Sequence, residues 1–536
     1  MSIEEMLDSL TLEDLAGQVL CYDVYDKDDP AEVEKIIKKI KPGGIFLTGM
    51  SAEKIALYTD MVNKYTKIPV IIASDIEKGP ETAIKGAGYI PHQMAWGACD
   101  DENLIERAGR ATAQICRKNG VHWTYSPIVD INYNFRNPEC NIRAVSDKPD
   151  HVIKMTSAFI RGAEENGYMV TACKHFPGQG MDERNSHFCT TTNPMTQEEW
   201  MSTYGYIYKT MIDKGIPSIM VGHGSVESFE EEIDPVLGAL PAVLSHSLMT
   251  KLLKERLGFE GCIVSDAMSM IGVCARVDKL EELAVRYLNA GGDMILFPEP
   301  TDFDHILKAI QENTLSLDRL KDAVKRILRL KQKARLFEDQ KAIVNEIPND
   351  VDFHAIAQEI ADKSIVIERD VNGILPLKLK KGSRVLMLNM VEPYFHQPPT
   401  GHELDAMKAE FERYGMHVDV MTTAKHKEIQ NVLSSYDLVT LNCKMSSQDY
   451  HGATMRIGWN NIMVLWRGYV LQHPNFVFVS FGDPYKLFDM PYLKEYVNAF
   501  SYTEASQRAV VKVLLGEIKA TGKNPVEFKG FFERGV

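Results

Sequence analysis

The sequence has no run approaching the roughly 18 to 20 apolar residues that a membrane-spanning helix requires, and nothing in it predicts a span. Its opening, Met1-Ser2-Ile3-Glu4-Glu5-Met6-Leu7-Asp8, lacks both a basic stretch and an uninterrupted apolar core, so no signal peptide is expected. Cysteine is sparse and unpatterned. There are nine, an odd number with no Cys-x-x-Cys pair, which fits a reducing compartment better than a disulfide framework. The cytoplasm is the expected location. An excess of positive charge is missing too: 60 Lys and Arg stand against 74 Asp and Glu, a formal net charge of −14. That balance argues against a general affinity for nucleic acid or an anionic membrane. No internal repeat or low-complexity segment is found.

What is present is a long soluble-type chain, 536 residues with 45% hydrophobic and 25% charged content, too long for one ordinary core. Up to about residue 335, short apolar runs alternate with helical patterns. The runs are Gly44 to Leu47, Val70 to Ala73, Trp123 to Ser126, Val170 to Cys173, Ser218 to Val221, Cys262 to Val264 and Met294 to Phe297. Between them lie segments such as Leu104, Ile105, Ala108, Ala111, Thr112 and Ile115, spaced for one helical face, with Gly120 as a stop. This alternation implies βαβ units and a mainly parallel sheet. Seven strands, with one unrecognised, suit a barrel. The pattern is lost between Leu336 and Asp352 and resumes with Val385 to Leu388, Leu438 to Leu441, Phe476 to Ser480 and a closing helix from Thr503 to Glu517. The expected organisation is a (β/α)8 TIM-type barrel over 1–335, a linker over 336–352 and a smaller αβα sandwich domain over 353–536.

Polar groups gather at the ends of these apolar runs, where a barrel builds its active site. Lys174 and His175 open Lys174-His175-Phe176-Pro177-Gly178-Gln179-Gly180, and His187 follows seven residues after Gly180. Asp266 follows Ile263-Val264-Ser265; Asp75, with Glu77 beyond it, follows Val70 to Ala73. Arg143 lies after Tyr125-Ser126-Pro127-Ile128-Val129-Asp130-Ile131, and His223 follows Ile219-Met220-Val221. A carboxylate such as Asp266 at a barrel mouth can attack a sugar C1 or stabilise an oxocarbenium ion. Each residue alone reads as readily as a structural or solvated group. Their recurrence at five strand ends favours a site.

Together these stretches resemble glycoside hydrolase family 3 along nearly the whole chain. KHFPGQG is similar to the family's KHFPGHG or KHFPGDG run, and GCIVSDAMSM to its nucleophile strand. SDIEKGPE, YSPIVDI with NIRAV, IMVGH, LSHSLMTKLLKERLGFEG and NAGGDMIL match in order; in the second part KSIVIERDVNGILPL and SFGDPYKL resemble the αβα sandwich. The resemblance implies retaining hydrolysis of a small-molecule glycoside or oligosaccharide, with Asp266 as nucleophile and neither metal nor organic cofactor. Asp75, Arg143, Lys174, His175 and His223 would line the terminal-sugar subsite.

The proton donor is less regular. In the family's N-acetylglucosaminidase branch an Asp-x-His dyad follows the KHFPG run, and here the matching residues are Asn185-Ser186-His187. Asparagine orients an imidazole without supplying charge. Asp182 and Glu183, in the same loop, are alternative partners for His187, or Glu183 the acid itself. Glu77-Lys78-Gly79 and Gln179 are further departures from the family pattern. Three readings follow: an exo-β-glycosidase acting on terminal β-N-acetylglucosaminides or related β-hexosides; a β-glycoside phosphorylase, since a neutral dyad spares phosphate the repulsion of a carboxylate; and an attenuated sugar-binding relative. The segment Glu392 to Pro399 reads as a loop able to reach the pocket, and equally as plain surface or a homodimer contact.

Overall fold

The computed structural model describes residues 2–349, 351–391, 399–423, 426–445 and 457–536. Glu392 to Pro398, within the loop singled out above, lies outside them. Eight parallel strands form one sheet: β1 (Leu20–Val24), β2 (Gly44–Leu47), β3 (Ile71–Ser74), β4 (Trp123–Thr124), β5 (Val170–Phe176), β6 (Ser218–Val221), β7 (Cys262–Ser265) and β8 (Ile295–Leu296). Their order is β8-β1-β2-β3-β4-β5-β6-β7, and a bridge between Val264 and Met294 joins β7 to the start of β8 and closes the barrel. Strands β2 to β7 are buried along their whole length, which is why they read as unbroken apolar runs rather than alternating ones. The unrecognised strand is β1, whose Tyr22 and Asp23 interrupt the apolar signal.

Helix Glu102–Lys118 carries the face expected from the sequence, and Gly120 adopts φ +77° just beyond it. Helix Leu317–Lys333 lays Leu320, Val324, Ile327 and Leu328 against the barrel. The same face buries Lys331 completely, with its ammonium donating to Gln18 Oε1 at 2.8 Å. Burial pushes this amine down to about 7.

The second sheet has six strands, β9 (Val366–Asp370), β10 (Arg384–Val391), β11 (His417–Thr422), β12 (Leu438–Lys444), β13 (Phe476–Ser480) and β14 (Glu495–Asn498), in the order β9-β14-β13-β12-β10-β11. All pairings are parallel except β9 with β14. Leu386, Leu388, Val439, Leu441, Phe478 and Tyr496 carry its core, and helices Asp405–Arg413 and Glu504–Leu514 pack against each other beside it.

The chain divides into two compact units, one of residues 1–89, 105–131 and 152–353, the other of 90–104, 132–151 and 354–536. Residues 90–104 and 132–151 interrupt the barrel in sequence. Their Met94, Ala95, Ala98 and Ile142 belong to the apolar core of the second unit. Residues 336–352, expected as a linker, contain helix Gln340–Glu346 with Ile343 buried in the first unit. Among the described residues no helix is long and apolar enough to cross a membrane.

Candidate active site

The ends of β3, β5, β6 and β7 bring most of the candidate residues together. Lys174, near the end of β5, is almost fully buried, with its Nζ 2.6 Å from Asp75 Oδ1 and 2.7 Å from Glu77 Oε1. Two carboxylates thus hold one ammonium, compensating the cost of its burial. Asp75 keeps 41% of its side chain exposed, which leaves acceptor capacity for a hydroxyl-rich ligand.

His175 is fixed by a residue that sequence reasoning passed over. Its Nδ1 lies 2.7 Å from Asp130 Oδ2, and since an ionised carboxylate only accepts, Nδ1 carries the proton and Nε2 is left for other work. Asp130 Oδ1 accepts the backbone N–H groups of His175 at 3.2 Å and Gln179 at 2.8 Å. One buried carboxylate therefore organises the KHFPGQG turn. Its signal was the strand-end aspartate of YSPIVDI, but its partners lie 45 and 49 residues away. Gln179 in turn accepts through its carbonyl from Tyr204 Oη at 2.6 Å.

Asp266 follows β7. Its N–H donates to Val221 O at 2.8 Å, and its Oδ1 accepts from Ala267 N at 2.8 Å. Burial raises this carboxyl, but the fields of His223, His175, His187 and Lys174 outweigh it and hold it at about 2. It is ionised at any working pH. His223 is fully buried, and its Nε2 donates to Ala267 O at 3.0 Å, bracing the backbone beside Asp266.

His187 sits in the turn after KHFPGQG. Asn185 Oδ1 lies 2.6 Å from His187 Nδ1 and 2.9 Å from the backbone N of the same residue. The backbone bond requires an acceptor, so the amide oxygen faces His187 and Nδ1 bears the proton, leaving Nε2 as the nitrogen that Asn185 does not hold. Gly272, in the short helix Ile271–Cys274 after Asp266, donates its N–H to His187 O at 3.3 Å. A Cβ at Gly272 would fall 2.1 Å from Ser186 O. The histidine turn thus leans on the segment that follows Asp266.

Asp182 directs its carboxylate to the Arg184 guanidinium and the Thr192 N–H. Burial raises it, but these partners lower it further, so it is an anion and a poor proton donor. Glu183 is exposed on the same turn. Arg143 closes the turn Asn141–Arg143 in the second unit, where its Nη1 donates to Glu139 O at 3.2 Å.

A buried, ionised carboxylate at a barrel strand end, ringed by imidazoles and an ammonium, is the equipment of an enzyme that transfers sugars. Residues 11–330 match the family described as "Glycosyl hydrolase family 3 N terminal domain". The chain belongs to that family and is an enzyme of the glycoside hydrolase class. It is 28% identical over 535 residues, covering 95% of itself and 93% of the relative, to a "Beta-N-acetylglucosaminidase/beta-glucosidase" from Cellulomonas fimi. A "Beta-hexosaminidase" from Methylobacillus flagellatus is 29% identical over 276 residues, 49% of this chain and 76% of the relative. The solved "Beta-glucoside phosphorylase BglX bound to 2FGlc" shares 30% identity with a TM-score of 0.86, over 98% of this chain and 96% of that one. That whole-length structural match carries the barrel-plus-sandwich fold.

Proposed function

We propose that the protein is a retaining, exo-acting β-glycosidase that uses Asp266 as nucleophile and His187 as acid and base. Terminal β-N-acetylglucosaminides or related β-hexosides are its substrates. The observation that carries the reading is Asp266 itself, held at about 2 in a buried site by His223, His175, His187 and Lys174. In the first step Asp266 attacks C1 while His187 Nε2–H protonates the departing glycosidic oxygen; the C1–O bond breaks and a glycosyl ester forms. In the second step Nε2 takes a proton from the acceptor, which attacks C1 and releases the carboxylate. Asp75, Lys174 and His175 hold the hydroxyls of the terminal sugar, and His223 keeps the Asp266 backbone in place.

A second reading, phosphorolysis, is favoured by the uncharged partner of His187. Asn185 fixes the ring at 2.6 Å without placing an anion beside the incoming acceptor. Phosphate would meet no carboxylate at the dyad position itself. The whole-length similarity to a β-glucoside phosphorylase supports this acceptor.

The test is turnover of 4-nitrophenyl β-N-acetylglucosaminide and β-glucoside, with and without phosphate, by wild type, Asp266→Asn and His187→Ala. An activated leaving group needs little protonation, so loss of turnover in Asp266→Asn with partial retention in His187→Ala supports both assignments. Stimulation by phosphate with formation of a sugar 1-phosphate selects the second acceptor. Measurable sugar binding without turnover on either glycoside sinks the proposal and leaves a sugar-binding relative.

A further inference from the structure

The second unit holds a cavity of about 510 Å³ whose lining includes none of the residues assigned above. It falls within the roughly 300 to 1,000 Å³ typical of small-molecule sites. Six aromatic side chains line it: Tyr133, Phe135, Tyr485, Phe488, Phe528 and Phe531. Phe135 packs 5.3 Å from Phe488 and 5.1 Å from Phe528, ring centre to ring centre, and Phe528 stacks on Phe531 at 4.5 Å. Their positions are fixed by local structure. Phe528 and Phe532 pair across a tight turn, and Gly530, at φ +82°, supplies the left-handed residue that the turn needs. The turn presents Phe531, while Tyr133 stays 38% exposed at the other wall.

The polar part of the lining is electrically balanced. Asp147 accepts from Arg534 Nε at 2.7 Å and Nη2 at 2.9 Å, a two-pronged pair, and also from Glu527 N at 2.9 Å. Glu527 and Lys529 add one charge of each sign. Arg136 lies 5.2 Å from the centre of the Phe135 ring and 5.6 Å from that of Phe488, so those two rings are covered, and Tyr133 and Phe531 are the rings that offer a ligand aromatic surface.

One polar group is left over. Asn132 is buried and lines the cavity; its Nδ2 donates to Asn141 O at 3.0 Å, which fixes the amide, and its Oδ1 has no hydrogen-bond partner among the described residues.

From this the geometry points to a second, non-catalytic carbohydrate-binding site in the 132–151 and 485–534 segments. A neutral ligand with polar edges and an apolar C–H face is what aromatic walls and balanced charge fit. A pyranose ring has that chemistry. The site would hold a sugar unit of an oligosaccharide independently of turnover at Asp266.

The experiment uses the full-length Asp266→Asn protein, titrated calorimetrically with chitotetraose and with cellotetraose. Two binding events are expected with at least one of them. Tyr133→Ala combined with Phe531→Ala removes one event or weakens it at least tenfold, whereas Tyr133→Trp with Phe531→Trp retains it. In the otherwise wild-type enzyme the alanine pair leaves kcat/KM on the 4-nitrophenyl glycoside within twofold. A single event unchanged by the alanine pair overturns the site, and so does a parallel fall in kcat/KM, which would make these residues part of the catalytic pocket. Should the alanine pair lower Tm by more than a few degrees, Tyr133→Ala alone is titrated, since its ring is already partly in solvent; unaltered binding in that variant likewise overturns the site. Absence of turnover in the wild type would refute the proposed function and leave the second event intact.

Discussion

Replacing Asn185 by Asp puts a carboxylate beside His187, the proton donor proposed above, and its effect can be worked out from two distances. The amide oxygen accepts from His187 Nδ1 at 2.6 Å and from His187 N at 2.9 Å. A carboxylate of the same shape can make both bonds, so the ring keeps its orientation and only the charge changes. A neutral hydrogen bond contributes about 1 kcal/mol and a charge-assisted one about twice that or more. The imidazolium is therefore stabilised by roughly 1–2 kcal/mol beyond what asparagine provides, equivalent to about 5- to 30-fold in the population of proton donor. Alkyl β-glycosides, whose leaving groups need that proton, should react about 5- to 30-fold faster at mildly alkaline pH. Activated 4-nitrophenyl glycosides should change by less than about threefold. Phosphate should move the opposite way. An added negative charge beside His187 repels the incoming anion, and phosphate-dependent kcat/KM should fall by about tenfold or more. The assay is kcat/KM for both substrate types with and without phosphate, beside wild type. An alkyl glycoside rate that stays flat or falls in Asn185→Asp, while the activated substrate is still turned over, would refute the reasoning.

Other perturbations test separate parts of the structure. Gly272→Ala places a methyl 2.1 Å from Ser186 O and must push the His187 turn away; Tm should fall, and kcat on alkyl glycosides should fall at least about tenfold, with a far smaller loss on 4-nitrophenyl glycosides. In Asp130→Asn the two backbone donors of the KHFPGQG turn keep the amide oxygen, so the amide nitrogen faces His175 Nδ1 and forces the other ring tautomer. A fall of about ten- to a hundredfold in kcat/KM is expected, and comparison of KM with kcat shows whether sugar binding is affected. Lys331 is held at about 7, below its value in the unfolded chain, so the unfolded state binds more protons between pH 7 and 10 and folding is favoured as pH rises through that window. Lys331→Met should therefore raise Tm at pH 6, and its advantage should shrink by about a factor of ten in the folding equilibrium per pH unit above 7; equal pH profiles for the two proteins would argue against a buried charge.

Much of the fold was legible because buried parallel strands are written as short, unbroken apolar words. Ser218–Val221 and Cys262–Ser265 could be read without any partner in view. Strand Leu20–Val24 was not, since Tyr22 and Asp23 belong to its barrel-mouth end and dilute the signal. The edge strand His417–Thr422 is largely exposed and carries no apolar stretch, so its place is decided by pairing with β10 alone. At the site, the strand-end positions of Lys174, His175 and Asp266 could be read from local sequence, but their partners could not. Glu77 reaches Lys174 across 97 positions and Asp130 reaches His175 across 45. Nor does sequence say which way an amide faces; that Asn185 turns its oxygen to His187 follows only from the two donors it meets.

The interruption of the barrel sequence by residues 90–104 and 132–151 has a consequence for how this protein is made. Met94 and Ile142 leave the ribosome early, yet the apolar neighbours they need include Phe478, Tyr496 and Val526. At about 5–20 residues per second, those neighbours follow on the order of tens of seconds later. Until then two sticky loops hang from a half-built barrel, natural clients for a chaperone. The same threading sets the rules for recombination: a barrel cut at residue 335 would leave both loops without their core. Exchange of modules with a relative therefore has to carry the early loops and the late sandwich together.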